Sequence, residues 1–193
     1  NEKSQSQVID GYVQEVAKFS DSHILKLIRE AVAYNNKLRN SAVVMSDPFD
    51  ADAAMITLQE YEDCLNVNKT GLMAYIDIPK TGVHIPIYHG TSESVLAKAV
   101  GHLQGTSLPV GGEGTHCVLS AHTGLAEAKL FTDLDELVPG DTFTITVLEE
   151  KLTYQVFDIE VVLPEEISSL RIEAGKDLTT LVTCTPYGIN THR

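Results

Sequence analysis

The chain has 193 residues and a formal net charge of -13. Its length fits one domain of ordinary size, and its composition, 43% hydrophobic and 21% charged, excludes a wholly disordered or fibrous protein. The acidic balance argues against nucleic acid as a ligand, because binding a phosphate backbone needs clustered Lys and Arg. No apolar run approaches the roughly 20 residues of a membrane-spanning helix, so we expect any membrane anchor to lie outside this chain.

The N-terminal part of the chain predicts a pair of helices between Gln7 and about Leu38. Four apolar residues recur there at the spacing of one helix face: Ile24, Leu27, Ile28 and Ala31. Ser20-Asp21-Ser22 offers an N-cap that divides the two helices. The helical pattern then ends at 46–50, since Pro48 has no N–H and disfavours helical angles at Asp47.

After Gly71 the pattern changes to short β-rich runs separated by turns rich in Gly, Pro and Asp. The predicted strands are 73–78, 83–88, 117–121, 142–148, 152–163 and 178–184. Two brief helices are predicted between them, at 93–100 and 128–137. Many short strands with few helices favour a mostly β fold, a closed or nearly closed barrel, over an alternating α/β sheet.

Cys184 stands at the boundary between a predicted strand and a loop. The apolar run 179–183 precedes it, and Pro186 and Gly188 turn the chain after it. A thiol in that place combines rigid support with access. Most free cysteines are nevertheless small buried apolar residues, so the position by itself assigns no role.

Two other polar residues occupy comparable positions. His122 follows the apolar run 118–121, and an imidazole there can act as general acid or base because its pKa lies near neutrality. Arg193 follows Cys184 by nine residues, across a loop long enough to return it to a neighbouring strand. Its guanidinium donors suit an oxyanion or a substrate carbonyl. A single histidine at a strand end is more often a hydrogen-bonded structural residue than a catalytic one. A single arginine near a chain terminus is usually exposed to solvent.

Together these residues resemble the sortase family. Thr180-Leu181-Val182-Thr183-Cys184 is similar to the family's TLxTC strand, Ser-Ala-His-Thr-Gly at 120–124 carries the histidine, and Arg193 follows downstream. The segments 108–116 and 184–193, with Asp47-Pro48-Phe49, resemble class C, the pilus-specific sortases of Gram-positive bacteria. Thr123 departs from the pattern, because many members have an arginine after the histidine.

The resemblance implies a sortase-type β-barrel with short helices and an N-terminal helical pair. It divides the chain into a helical appendage over 1–45, an active-site lid loop over 46–52 and a catalytic barrel over 53–193. Members of the family continue beyond the position of Arg193 into a final barrel strand. We therefore expect that strand to be absent from this chain.

The resemblance also implies a cysteine transpeptidase that polymerises pilins. Cys184 would attack the Thr–Gly carbonyl of an LPxTG-like sorting signal and form a thioacyl enzyme, while His122 transfers protons and Arg193 stabilises the oxyanion. A lysine of the next pilin would then take the acyl group as an isopeptide bond. Asp47, Pro48 and Phe49 would form a lid over the site.

The expected partners are pilin subunits that carry such a signal and an acceptor lysine. The resemblance implies an enzyme on the extracytoplasmic face of a Gram-positive membrane, anchored through segments outside this chain. Two alternatives stay open. One is a housekeeping sortase that anchors surface proteins to peptidoglycan, and the other is a surface binding module without enzymatic activity.

No cofactor or metal is expected. HExxH and paired Cys/His spacings are both missing from the sequence, although four histidines besides His122 are candidate ligands by residue type: His84, His89, His102 and His116. Cys64 and Cys117 match no motif of the family, and we interpret both as structural thiols.

Overall fold

A computed structural model describes residues 2–40, 59–125 and 128–193. Its α-helices are α1 (Glu2–Val16), α2 (Asp21–Arg39), α3 (Gln59–Asp63) and α4 (Glu93–Leu96). The side chain of Ser20 caps α2 by accepting a hydrogen bond from the His23 backbone N–H at 3.3 Å. The predicted N-terminal helical pair is therefore confirmed, with its division at the predicted cap.

Seven strands form one sheet in the order β6-β5-β1-β2-β3-β4-β7. Their bounds are β1 (Leu72–Ile78), β2 (Val83–His89), β3 (Val100–His102), β4 (Thr115–Ser120), β5 (Thr142–Val147), β6 (Glu150–Gln155) and β7 (Asp177–Val182). Pairing is antiparallel except between β2 and β3 and between β4 and β7. The sheet curls into a nearly closed barrel, which confirms the mostly β fold class.

The helical pair is attached to the barrel through buried polar contacts. In α1, the Tyr12 hydroxyl donates to the Met73 carbonyl at 3.0 Å and accepts from the Leu148 N–H at 2.6 Å. In α2, the Asn35 amide accepts from the Leu108 N–H at 2.7 Å and donates to its carbonyl at 3.2 Å. Because buried polar groups are costly without partners, these paired bonds specify where each helix docks.

Three predicted elements differ from the observed ones, the first being the helix predicted at 93–100, which ends at Leu96. The strand predicted at 152–163 ends at Gln155. The alternating apolar pattern continues beyond it, but the side chains of Phe157, Ile159, Val161 and Leu163 are exposed. Strand β3 has only three residues, too few for a pattern. The helix predicted at 128–137 is wrong; the described part of that stretch contains turns and a short 3-10 helix, Leu134–Glu136. Among the described residues, no helix is long and apolar enough to cross a bilayer.

Candidate active site

His122 and Cys184 follow the carboxyl ends of two neighbouring parallel strands. Strands β4 and β7 are in register from Thr115 opposite Asp177 to Ser120 opposite Val182. The pairing continues one residue further, because the Ala121 N–H donates to the Val182 carbonyl at 3.2 Å and the Thr183 hydroxyl donates to the Ala121 carbonyl at 2.8 Å. This register brings the backbone positions of His122 and Cys184 side by side.

Arg193 lies on the other side of Cys184. Thr185 and His192 exchange two backbone hydrogen bonds, of 2.9 and 2.8 Å, as an antiparallel bridge. One step along that register, the backbone of Arg193 stands opposite that of Cys184. Arg193 is in turn held by two backbone bonds to Val162, of 2.8 and 3.0 Å.

The three side chains differ in exposure and in the contacts they make. Cys184 is buried, with 8% of its surface exposed, whereas 22% of the His122 side chain is exposed. The Arg193 guanidinium donates through Nη1 to the carbonyls of Asn190 and His192, at 3.1 and 3.2 Å. A nucleophile flanked by an imidazole and a guanidinium can perform acyl transfer. Catalytic roles for these residues remain a prediction.

Gly124 and Tyr187 join the loop after His122 to the loop after Cys184. Gly124 has φ +75°, and a Cβ at this position would lie 2.8 Å from Cε2 of the Tyr187 ring. Because glycine has no side chain, the ring packs directly on the backbone. This contact fixes the spacing of the two loops that carry the candidate nucleophile and base.

We expect Gly124→Ala to lower kcat/KM for sorting-signal cleavage by about 10- to 100-fold, because displacing Tyr187 separates the two loops. Gly140→Ala is the matched control, since Gly140 has φ +102° and a methyl group there would have nothing within 4 Å. Both variants should lose about 1–2 kcal/mol of stability from backbone strain. Equal kcat/KM in the two variants would contradict a role for the Tyr187 contact.

The four histidines considered above as metal ligands contact protein groups instead. His89 and His102 contact backbone carbonyls through ring nitrogens, at 2.7–2.8 Å, His116 lies 2.6 Å from the Thr180 hydroxyl, and His84 lies 2.6 Å from Asp77. Within 2–40, 59–125 and 128–193, no group of His, Cys, Asp and Glu could hold a metal ion.

The two other cysteines are buried and free. Burial, with a smaller contribution from Glu30, raises the pKa of Cys64 to about 11. Burial likewise raises the pKa of Cys117 far above its usual value. Both thiols therefore stay protonated near neutral pH, which agrees with a structural role.

One charged contact of the site had no signal in the sequence. Glu93, in the first turn of α4, places Oε2 3.4 Å from Nε2 of His122. The two residues are far apart in the chain, and only the packing of α4 brings them together. The predicted lid residues Asp47, Pro48 and Phe49 lie outside the described residues.

Comparison with known proteins identifies the family of this arrangement. The Sortase domain family matches residues 76–193. Among curated proteins, Sortase D of Bacillus subtilis is 29% identical over 112 residues, which are 58% of this chain and 54% of that protein. Sortase A of Streptococcus agalactiae is 29% identical over 113 residues, 57% of this chain and 45% of that protein. The matched region thus spans about half the length of these curated relatives.

Solved structures agree over nearly the whole chain. Sortase C-1 of Streptococcus pneumoniae is 41% identical with a TM-score of 0.89, covering 96% of this chain and 93% of that one. Sortase C1 of Streptococcus agalactiae is 43% identical with a TM-score of 0.87, covering 96% and 93%. The resemblance to class C is therefore confirmed, and the chain belongs to the sortase family.

Proposed function

We propose that this protein is a cysteine transpeptidase that cleaves LPxTG-like sorting signals of pilins and joins the acyl-enzyme to a lysine of the next pilin. The observation that carries the proposal is the register that sets His122 and Arg193 on either side of Cys184. The likeness to the structure named pilus-related sortase C of group B Streptococcus, 40% identical with a TM-score of 0.85, supports pilins as substrates.

In the proposed reaction, the Cys184 thiolate attacks the Thr–Gly carbonyl, and the tetrahedral oxyanion forms near Arg193. His122 protonates the departing glycine amine, which leaves the thioacyl enzyme. His122 then takes a proton from the incoming lysine amine as that amine attacks the thioester. Dividing the transpeptidation into two steps through a thioacyl enzyme lowers the barrier of each step. A cation next to a cysteine favours its reactive thiolate form.

The two substrates define the proposed partners and location. One pilin supplies the sorting signal, and a second pilin supplies the lysine. Such substrates meet outside the cytoplasm, so we propose that the enzyme works on the extracytoplasmic face of a Gram-positive membrane. The helical pair over 1–45, the lid over 46–52 and the barrel over 53–193 are the proposed functional units of the chain.

Incubation with a purified pilin tests the proposal directly. Covalent ladders that contain a lysine isopeptide bond, seen by gel and by mass spectrometry, are the expected result. Anchoring to a peptidoglycan-type amine without ladders would favour the housekeeping alternative. An absence of both cleavage and adduct with any sorting-signal peptide would overturn the transpeptidase assignment.

The lid remains a proposal that rests on the resemblance of Asp47-Pro48-Phe49 to class C. In that proposal Asp47 pairs with Arg193 and Phe49 covers Cys184, while Pro48 restricts the backbone that presents them. An exposed ion pair contributes only about 0–1 kcal/mol, so a lid held by such a pair would be easily displaced by substrate.

We expect Asp47→Ala combined with Phe49→Ala to speed alkylation of Cys184 by a small thiol reagent about 2- to 5-fold and to raise hydrolysis of sorting-signal peptide. Asp50→Ala is the control within the same segment. If the double variant reacts no faster than Asp50→Ala in either assay, the segment has no gating role.

A further inference from the structure

The segment from Gly90 to Leu96, which ends in helix α4, lies closer to β3 than a side chain at Gly101 would allow. At Gly101 of β3, a Cβ would lie 2.5 Å from the Gly90 carbonyl oxygen and 3.1 Å from the Leu96 side chain. Leu96 is buried in α4, so it fixes the helix on this spot. Because β3 is the neighbour of β4 in the sheet, α4 comes to lie next to the end of β4.

This packing delivers a carboxylate to the candidate base. Glu93 opens α4 and reaches across to His122, with Oε2 and Nε2 3.4 Å apart. The Glu93 side chain is 80% exposed while that of His122 is 22% exposed, so the carboxylate approaches the ring from the solvent side. At this distance a protonated imidazole and a carboxylate form an ion pair.

We infer that Glu93 is a positioning residue for His122, whose ring it holds through the contact with Nε2. The inference rests on the proposed function, in which His122 must carry a proton to the leaving amine. The carboxylate lies 3.4 Å from that nitrogen, where it can pair with the protonated ring that this step needs. It also restricts rotation of the ring, because the contact requires Nε2 to face α4.

Other charged groups near His122 come from three further segments. Cys184 lies beside it at the end of β7, and Arg193 stands beyond Cys184. The turn after 128 bonds to the His122 carbonyl through the Phe131 N–H, and its Lys129 is paired with Asp133 at 2.8 Å. Among these described groups, Glu93 is the acid whose carboxylate reaches the ring, so it is the one to substitute.

Glu93→Gln tests the inference through NMR of labelled imidazole nitrogens in the free protein. We expect a change in the Nε2 resonance of His122 and greater mobility of the ring, because the charge that restrains the ring is removed. At about 1 M salt the difference from the parent should shrink, since the screening length falls to about 3 Å. Glu93→Asp should restore part of the restraint.

The same variant has a kinetic signature. We expect kcat for sorting-signal peptide to fall about 2- to 10-fold with little change in KM, because a less restrained ring is less often oriented for proton transfer. Glu149→Gln, an equal change of charge on the exposed turn between β5 and β6, should leave both the NMR signal and kcat unchanged. A loss of kcat in Glu93→Gln that Glu93→Asp does not partly restore would indicate a merely structural role and overturn the inference.

Two outcomes separate this inference from the proposed function. An unchanged Nε2 resonance and ring mobility of His122 in Glu93→Gln, or an equal change in Glu149→Gln, overturns the role of Glu93 whether or not the protein is active. A parent protein that cleaves no sorting signal counts against the proposed function, and the NMR comparison still decides whether Glu93 positions His122.

Discussion

Replacing Cys184 by alanine is expected to abolish thioacyl formation and to lower sorting-signal cleavage by at least about 10³-fold, because the substitution removes the nucleophile of the proposed reaction. The fold should survive, since only one sulfur is lost at the end of β7 and the backbone bridge between Thr185 and His192 is unaffected. Intact-mass spectrometry after incubation with a sorting-signal mimic measures the adduct, and thermal unfolding measures stability.

Cys64→Ala is the matched control for this variant. Cys64 has 6% of its surface exposed and Cys184 8%, so accessibility hardly distinguishes the two thiols. Their surroundings do. Burial and the nearby carboxylate of Glu30 raise the pKa of Cys64 and keep it protonated. The backbone of Cys184 instead lies beside those of His122 and Arg193. Adduct formation that persists in Cys184→Ala and disappears in Cys64→Ala would transfer the proposed chemistry to the other thiol.

The local sequence was sufficient to predict where chemistry could occur. The apolar runs before His122 and Cys184 predict strand ends, and the glycines and prolines after them predict loops, which agrees with β4 and β7 ending two residues before each side chain. Ser20 likewise predicts the start of α2, because its hydroxyl caps the helix that begins at the next residue. Short-range rules apply to these features because their causes lie within a few residues.

Features that depend on distant pairing had no such signal. The parallel pairing of β4 with β7 follows from the whole sheet, and strand β3 is too short to show a period. Glu93 lies near His122 because Gly101 lets the segment that leads into α4 pack closely on β3, and this packing has no local sequence signal. The network around Tyr61 is a further case, because its partners Gly90 and His102 lie in two other segments of the chain.

The buried pair of Tyr61 and His102 predicts a strong dependence of stability on pH. The Tyr61 hydroxyl lies 2.8 Å from Nδ1 of His102 and accepts a bond from the Gly90 N–H at 2.9 Å. His102 Nε2 lies 2.8 Å from the Ser107 carbonyl, which can only accept, so Nε2 carries the proton of the neutral ring. Nδ1 is then the acceptor for Tyr61, and every polar atom of the neutral ring is satisfied.

Burial lowers the pKa of His102 from 6.5 to about 4, with the Ser107 bond opposing that shift. The unfolded chain therefore binds a proton at higher pH than the folded protein does. Stability from this group is complete above about pH 6.5 and is lost as the pH falls from there towards about 4. The loss is on the order of 3 kcal/mol, a large part of the stability of a small domain.

Denaturant unfolding of the parent and of His102→Gln between pH 7.5 and pH 4.5 isolates this contribution from that of the many carboxylates. Gln keeps a donor near the Ser107 carbonyl but cannot be protonated, so it should cost about 1–3 kcal/mol at pH 7.5. The gap between the two proteins should narrow as the pH falls, because only the parent must keep a buried imidazole neutral. His23→Gln, on the exposed face of α2, should follow the parent throughout. If the difference in free energy of unfolding between the two proteins stayed constant from pH 7.5 to pH 4.5, the folded protein would tolerate a charged ring at His102. Any loss of stability in acid would then come from other groups.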